Sequence, residues 1–263
     1  MNKLVWMSDP HFAQEGDVLG HDPRLRLQAA VDHINTYHTD AKMCIISGDM
    51  VNRSTCSDYE GVKAKLEKLS VPYYPMVGNH DDRAIFREVL PLPDLCMTNF
   101  IQYKLAVPEG IVICLDTLKV GSDAGELCKA RREWLYETLK EAVNTPVFIF
   151  MHHPPMSLGL PTQDKENMEN GQTLLELISE FDCVKYLFIG HVHRAISGSI
   201  GGIPFSTMRS VLFQAPPPSP EWTWDTFKPG VEAPNIGIVQ LATASVNLHY
   251  EQFCEYQAGV ISD

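Results

Sequence analysis

A chain of 263 residues with 44% hydrophobic content is long enough to bury a large core within one domain. Its formal net charge of -12 repels nucleic-acid backbones and anionic lipid surfaces, which argues against a polynucleotide or a membrane as partner. No run of ~20 apolar residues is present to span a bilayer, Met1 leads straight into an apolar stretch unlike a signal peptide, and the seven cysteines are scattered without CxxC spacing, so a cytoplasmic location is expected.

In chain order, short apolar runs that read as buried strands fall at residues 4–7, 43–47, 73–77, 111–115, 147–151 and 186–189. Between several of them, apolar residues recur at helical spacing: Leu27, Ala30, Val31 and Ile34; Leu135, Leu139, Ala142 and Val143; Leu174, Leu177, Ile178 and Phe181. This alternation predicts an α/β fold. Beyond residue 194 the pattern becomes short β runs at 195–200, 203–208, 236–241 and 246–250, with Gly201-Gly202 as a hairpin turn, which predicts an antiparallel C-terminal third. The stretch 215–234 fits neither pattern, because six prolines surround Trp222, Trp224 and Phe227. Large aromatics require packing against the domain, a neighbouring subunit or a substrate, so a lid or dimerisation segment is expected at about 209–234 within one domain spanning 1–263.

Five strand ends carry residues able to ligate metal: Asp9-Pro10-His11, Gly48-Asp49, Gly78-Asn79-His80-Asp81, His152-His153-Pro154 and Gly190-His191-Val192-His193. Each alone has an ordinary reading. Asp-x-His and Gly-Asp are common in turns, Asp81 or Asp82 suits a helix cap, and alternate histidines on a strand can be satisfied by backbone. All five together, each at a strand end, have no such simple structural reading, because strand ends are where an open α/β sheet gathers its ligands. Carboxylate and amide oxygens mixed with imidazoles, and no thiolates, suit Mn, Fe, Co or Zn.

The succession D-x-H, GD, GNHD, H and GHxH over residues 9–193 resembles the signature of calcineurin-like metallophosphoesterases. Val77-Gly78-Asn79-His80-Asp81-Asp82, Phe150-Met151-His152-His153-Pro154-Pro155 and Glu169-Asn170-Gly171 are similar to the bacterial glycerophosphodiesterase and class III cyclic-nucleotide phosphodiesterase branch. The resemblance implies a four-layer αββα sandwich and a centre of two divalent transition-metal ions. It implies one metal among Asp9, His11 and His193, the other among Asn79, His152 and His191, and Asp49 bridging both. It places His80 and Asn79 at the substrate, His80 as proton donor to the leaving group, and Asp81 as the residue orienting His80 through a hydrogen bond. His153, next to a ligand on a strand, is expected to pack behind the site.

One departure stands out. Where the glycerophosphodiesterases carry a histidine near the substrate, residues 206–214 read Ser-Thr-Met-Arg-Ser-Val-Leu-Phe-Gln, leaving Arg209 as a candidate for substrate contact. The expected activity is hydrolysis of small phosphodiesters, glycerophosphodiesters or cyclic nucleotides, by a cytoplasmic homo-oligomer; a phosphomonoesterase and a metal-free interaction scaffold are the alternatives.

Overall fold

The computed structural model describes residues 2–242 and 245–255. Its elements run β1 (Asn2–Met7), α1 (Pro23–Tyr37), β2 (Met43–Ile46), α2 (Cys56–Leu66), β3 (Tyr73–Pro75), α3 (Arg83–Val89), β4 (Tyr103–Val107), β5 (Gly110–Cys114), α4 (Lys129–Glu141), β6 (Val147–Met151), α5 (Gly171–Ser179), β7 (Val184–Ile189), β8 (Ser197–Ile200), β9 (Ile203–Thr207), β10 (Asn235–Ala242) and β11 (Ser245–Gln252). Short 3₁₀ turns add Gln163–Glu166 and Trp224–Thr226.

Two sheets form, one in the order β11-β10-β1-β2-β3 and the other β4-β5-β6-β7-β9-β8. The period of two along the strands divides their side chains between two cores. Val112, Cys114, Phe148, Phe150 and Phe188 join the core of the first sheet, whereas Ile113, Leu115, Ile149, Met151, Leu187 and Ile189 join Leu135, Leu139, Leu174 and Ile178 of α4 and α5. On the far face of the first sheet, α1 and α2 bury Leu27, Val31, Ile34, Tyr59 and Val62. The layers are therefore helix, sheet, sheet, helix, in a mixed α/β fold.

Trp6 locks the two sheets together: its ring meets Phe188 edge-on at 5.2 Å and Phe150 at 5.8 Å. Its buried Nε1–H donates to Ser47 Oγ (2.9 Å), and Ser47 in turn donates to Ser8 Oγ (2.8 Å), which bonds Asp9. A polar chain thus leads from the core to the first candidate ligand, and no member of it is left unpaired.

The C-terminal third is only partly antiparallel. β10 pairs antiparallel with β1 and β11, and β8 with β9, but β9 pairs parallel with β7. The reason lies in the loop after β7: it carries His191 and His193 across to the edge strand β8, and the Gly201-Gly202 hairpin folds β9 back between them. Hydrophobic pattern marks strands but does not say which neighbour a strand takes.

Candidate metal centre

The backbone is most unusual where the candidate ligands sit. Six non-glycine residues adopt positive φ, and five of them are Asp9 (53°), His11 (40°), Asp49 (50°), His191 (70°) and His193 (49°). Each such residue costs about 1–3 kcal/mol, and strain of this kind gathers at functional sites. Here it turns side chains from separate strand ends toward one edge. The adjacent glycines have a matching cause: a Cβ on Gly78 would collide with the Asp49 side chain and backbone, and one on Gly48 with the His152 ring.

The side chains converge in two nests. In one, His11 Nε2 lies 3.1 Å from His193 Nε2, and His193 Nε2 lies 3.3 Å from Asp9 Oδ1. In the other, His152 Nε2 and His191 Nδ1 each lie 3.1 Å from Asn79 Oδ1. Asp49 Oδ2 stands between them, 3.4 Å from His11 Nε2 and 3.4 Å from His152 Nε2.

The outer nitrogens of two of these rings fix which face points inward. His152 Nδ1–H donates to Ser47 O (2.8 Å) and His193 Nδ1–H to Phe213 O (2.9 Å), so both present Nε2 to the nests. His11 Nδ1 is buried without a partner. The charges agree. Burial works against ionised Asp9 and Asp49, but His193 and His152 hold Asp9 below the usual carboxylate range, and His152, His80 and His11 hold Asp49 well below it. Burial pushes His11 and His191 down to about 3, neutral imidazoles, while His152 is raised to about 9 because Asp49 and Asp9 outweigh its burial. Excess negative charge that draws a proton to His152 also favours a cation in its place, with release of that proton. Lone-pair nitrogens, two ionised carboxylates and an amide oxygen, with no thiolate, fit two divalent ions.

Residues 3–195 match the model of the Calcineurin-like phosphoesterase family. This chain belongs to the calcineurin-like phosphoesterases. It is 35% identical over 216 residues to the "Probable cyclic nucleotide phosphodiesterase" of Rhodopseudomonas palustris, covering 81% of this chain and 79% of the relative. It is 29% identical to the glycerophosphodiester phosphodiesterase GpdQ of Enterobacter lignolyticus, covering 81% of this chain and 78% of that one. A dimetal phosphatase from Danio rerio superposes with a TM-score of 0.74 over 97% of each chain at 14% identity, a likeness of fold.

In this phosphoesterase His80 sits beside the nests, its ring 4.7 Å from that of His11. Its backbone N–H donates to Asp49 Oδ1 (3.0 Å) and its Nδ1–H to Asn52 O (3.1 Å). Burial opposes the imidazolium, but the Asp49 carboxylate and the Asn52 carbonyl raise its pKa above the ordinary value.

Asp81, expected to orient His80 through a hydrogen bond, bonds elsewhere and acts on that ring through its charge. Its carboxylate turns back into the loop, where it accepts from Gly78 N–H (2.9 Å), Met50 N–H (3.1 Å) and Tyr59 O–H (2.8 Å). Burial, with Asp49 nearby, pushes it up to about 7. Its three local donors tie the Gly78 turn to the Met50 loop and to Tyr59 of α2. Asp82 is the helix cap, accepting from Ala84 and Ile85 N–H. His153 packs against the second nest, its ring 4.8 Å from those of His152 and His191, but its nitrogens are engaged by Thr117 Oγ1 (2.8 Å) and Asp123 O (3.2 Å).

A cavity of about 420 Å³ opens over the nests, with Asn79 and His80 in its wall. Arg209 is not among its lining residues. Ser210 Oγ donates to Asp9 O (2.7 Å) and Val211 N–H to Ser8 O (2.9 Å), which runs the chain beneath the Asp9 turn and sends the Arg209 guanidinium to Ala233 O (3.4 Å). Phe213, four residues on, reaches the cavity instead, and Trp224 and Phe227 from the proline-rich segment line it too. The sequence reading missed Gln163, Glu166 and Asp123 of the same wall. Nothing in their spacing marks them, since they lie on loops and a short turn.

Proposed function

We propose that this phosphoesterase cleaves small phosphodiesters at a two-metal centre, with Asp9, His11 and His193 holding one ion, Asn79, His152 and His191 the other, and Asp49 shared. The observation that carries this reading is the position of Asp49 Oδ2, 3.4 Å from a ring nitrogen of each nest. Manganese, iron, cobalt or zinc suits the donor set. When bound, such ions polarise the phosphoryl group and acidify water to near neutrality.

The protein's own groups supply the rest. Ser47 O and Phe213 O fix the tautomers of His152 and His193, so no rotation of the rings is needed when ions enter. The Asn52 carbonyl anchors His80 through Nδ1, leaving Nε2 to give a proton or hydrogen bond to the departing alkoxide. Asn79 and His80, adjacent in the cavity wall, bracket the phosphoryl group. Two features support diesters over monoesters: the phosphodiesterase activities for which the two relatives are named, and an aromatic wall able to cover a second ester substituent.

The reading includes a cytoplasmic protein that does not act on nucleic acid, supported by the net charge of -12 and by seven cysteines that are all free. No helix among the described residues is long and apolar enough to cross a membrane. Assembly into a homo-oligomer is part of it as well, supported by Trp224 and Val231 at the surface of the proline-rich segment. Turnover of bis(p-nitrophenyl) phosphate, p-nitrophenyl phosphate, a glycerophosphodiester and a cyclic nucleotide by metal-loaded protein tests the chemistry. Diesters should be cleaved faster; cleavage of the monoester alone would overturn the assignment.

A further inference from the structure

The wall of the cavity has an unexpected composition for a site that takes an anion. Glu166 and Asp123 are both in it, beside the rings of Trp224 and Phe227. The two acids line the same cavity: burial raises Glu166 to about 6 and the Asp123 charge adds to that rise, against the Trp224 hydrogen bond and the charges of His80 and Lys165. A phosphodiester already carries a negative charge, so two carboxylates at its alcohol end repel it unless that alcohol brings a compensating positive charge.

The rings provide what an organic cation prefers. Trp224 and Phe227 lie 5.4 Å apart between centroids, tilted by 39°, and Phe213 meets Phe227 at 6.1 Å. Trp224 Nε1–H donates to Glu166 Oε1 at 2.5 Å, so ring and carboxylate are held as a unit. The unit is tied down further, since Thr162 Oγ1 donates to Trp222 O (2.7 Å) and so joins the segment to the turn bearing Glu166. The same turn is anchored at Gln163, which is 3% exposed and whose Nε2–H₂ group donates to Val192 O (3.0 Å).

We infer that Glu166, Asp123, Trp224 and Phe227 form a subsite for an ammonium group on the alcohol portion of the phosphodiester, so that this enzyme selects cationic diesters over neutral ones. The inference rests on the phosphodiesterase reading above and adds the substrate class. Aromatic faces with adjacent carboxylates attract quaternary and primary ammonium groups alike. A nucleobase could stack on the same rings, but it offers no full positive charge to two carboxylates, so a nucleotide is the less suited occupant.

The test compares two substrates of the same shape on metal-loaded, full-length protein. One is glycerophosphocholine; the other is its uncharged isostere, with a 3,3-dimethylbutyl group replacing the choline. The expected ratio of kcat/KM, charged over neutral, is about tenfold or more. Glu166→Gln and Asp123→Asn should each lower that ratio about threefold or more, and the double variant should bring it near one. The ratio is read within each protein, so a change in overall turnover does not obscure it. Asp123 is exposed on a loop, so its variant keeps the test available if changes at Glu166 disturb folding. A wild-type ratio near one, or a ratio unchanged in the double variant, overturns the subsite. Bis(p-nitrophenyl) phosphate separates the two levels: if it is cleaved while the ratio is one, only the subsite is lost, and if no diester is cleaved, the function itself is lost.

Discussion

Two clusters in this molecule unite histidines with a carboxylate, yet only one is built to hold ions. At the metal edge, Asp9, His11, Asp49, His152 and His193 are buried, the backbone is strained at five candidate ligand positions, and the outer nitrogens of His152 and His193 are bound to carbonyls. On the far side, His33 and His38 of α1 and its C-terminus meet Glu251 of β11 with Nε2 to Oε2 distances of 3.3 and 2.8 Å. There the imidazole protons already have their acceptor. Lys3 Nζ, paired with Asp40, lies 3.4 Å from His38 Nδ1 and would repel an incoming cation. His33 and Glu251 lie on regular helix and strand without strain. Residue type therefore does not make a metal site; the direction of lone pairs and the sign of neighbouring charge do. Asp116, just past the end of β5, teaches the same lesson: it sits at a strand end like Asp9 and Asp49, but Arg83 at 2.7 Å and Arg131 at 3.3 Å neutralise it.

The sharpest way to break the contrast is Asp49→Ala. It should strip both ions and leave turnover near background, because one carboxylate serves both nests. Metal content by atomic emission checks this, and two retained equivalents with near-normal turnover would sink the shared assignment. His80→Ala should come next, lowering turnover by about 10²–10⁴-fold while metal content stays near that of the wild type. A leaving-group series reads the cause: alkoxides should suffer more than nitrophenolate, and equal losses would remove the proton-donor role.

Glu251→Gln should be the mildest change, leaving metal content and turnover intact. Burial works slightly against the ionised Glu251, but His33 and His38 hold its pKa below the ordinary 4.5. A depressed carboxylate stabilises the fold above its unfolded pKa and loses that contribution as pH falls through the folded value. The variant should thus be less stable at pH 7 by under about 1 kcal/mol, since the side chain is partly exposed. That gap should close below the usual glutamate range in denaturant titrations at several pH values. A gap that widened toward acid would reverse the sign of the interaction.

The five polar blocks stood out in the sequence because each closes an apolar strand run, and the structure gathers their side chains at one edge. The layered fold was legible from apolar runs at periods of two and of three to four. What escaped has physical reasons. α2 was not recognised, since Gly61 interrupts its apolar face and its cap, Thr55, follows a polar stretch. β4 is a short edge strand with an alternating, half-exposed pattern. Asp81 was assigned to His80 by motif proximity, and only the backbone turn shows that Gly78 and Met50 capture its oxygens first. Arg209 lies outside the cavity lining for a similar reason, because Ser210, bonded to Asp9 O, sets the direction of the chain around it. The acidic wall of Glu166 and Asp123 joins loops 43 residues apart in sequence, at positions 123 and 166, and no periodicity reports such a meeting.

The central claim is that the strained strand ends hold two ions and that the distal histidines hold none. Protein stripped by chelator and titrated with manganese or zinc, with turnover of bis(p-nitrophenyl) phosphate followed at each step, tests it most directly. The account predicts full activity at two equivalents per chain, with the same stoichiometry in a His33→Ala/His38→Ala variant. Full activity without metal, or the loss of an equivalent on removing the distal histidines, would contradict it.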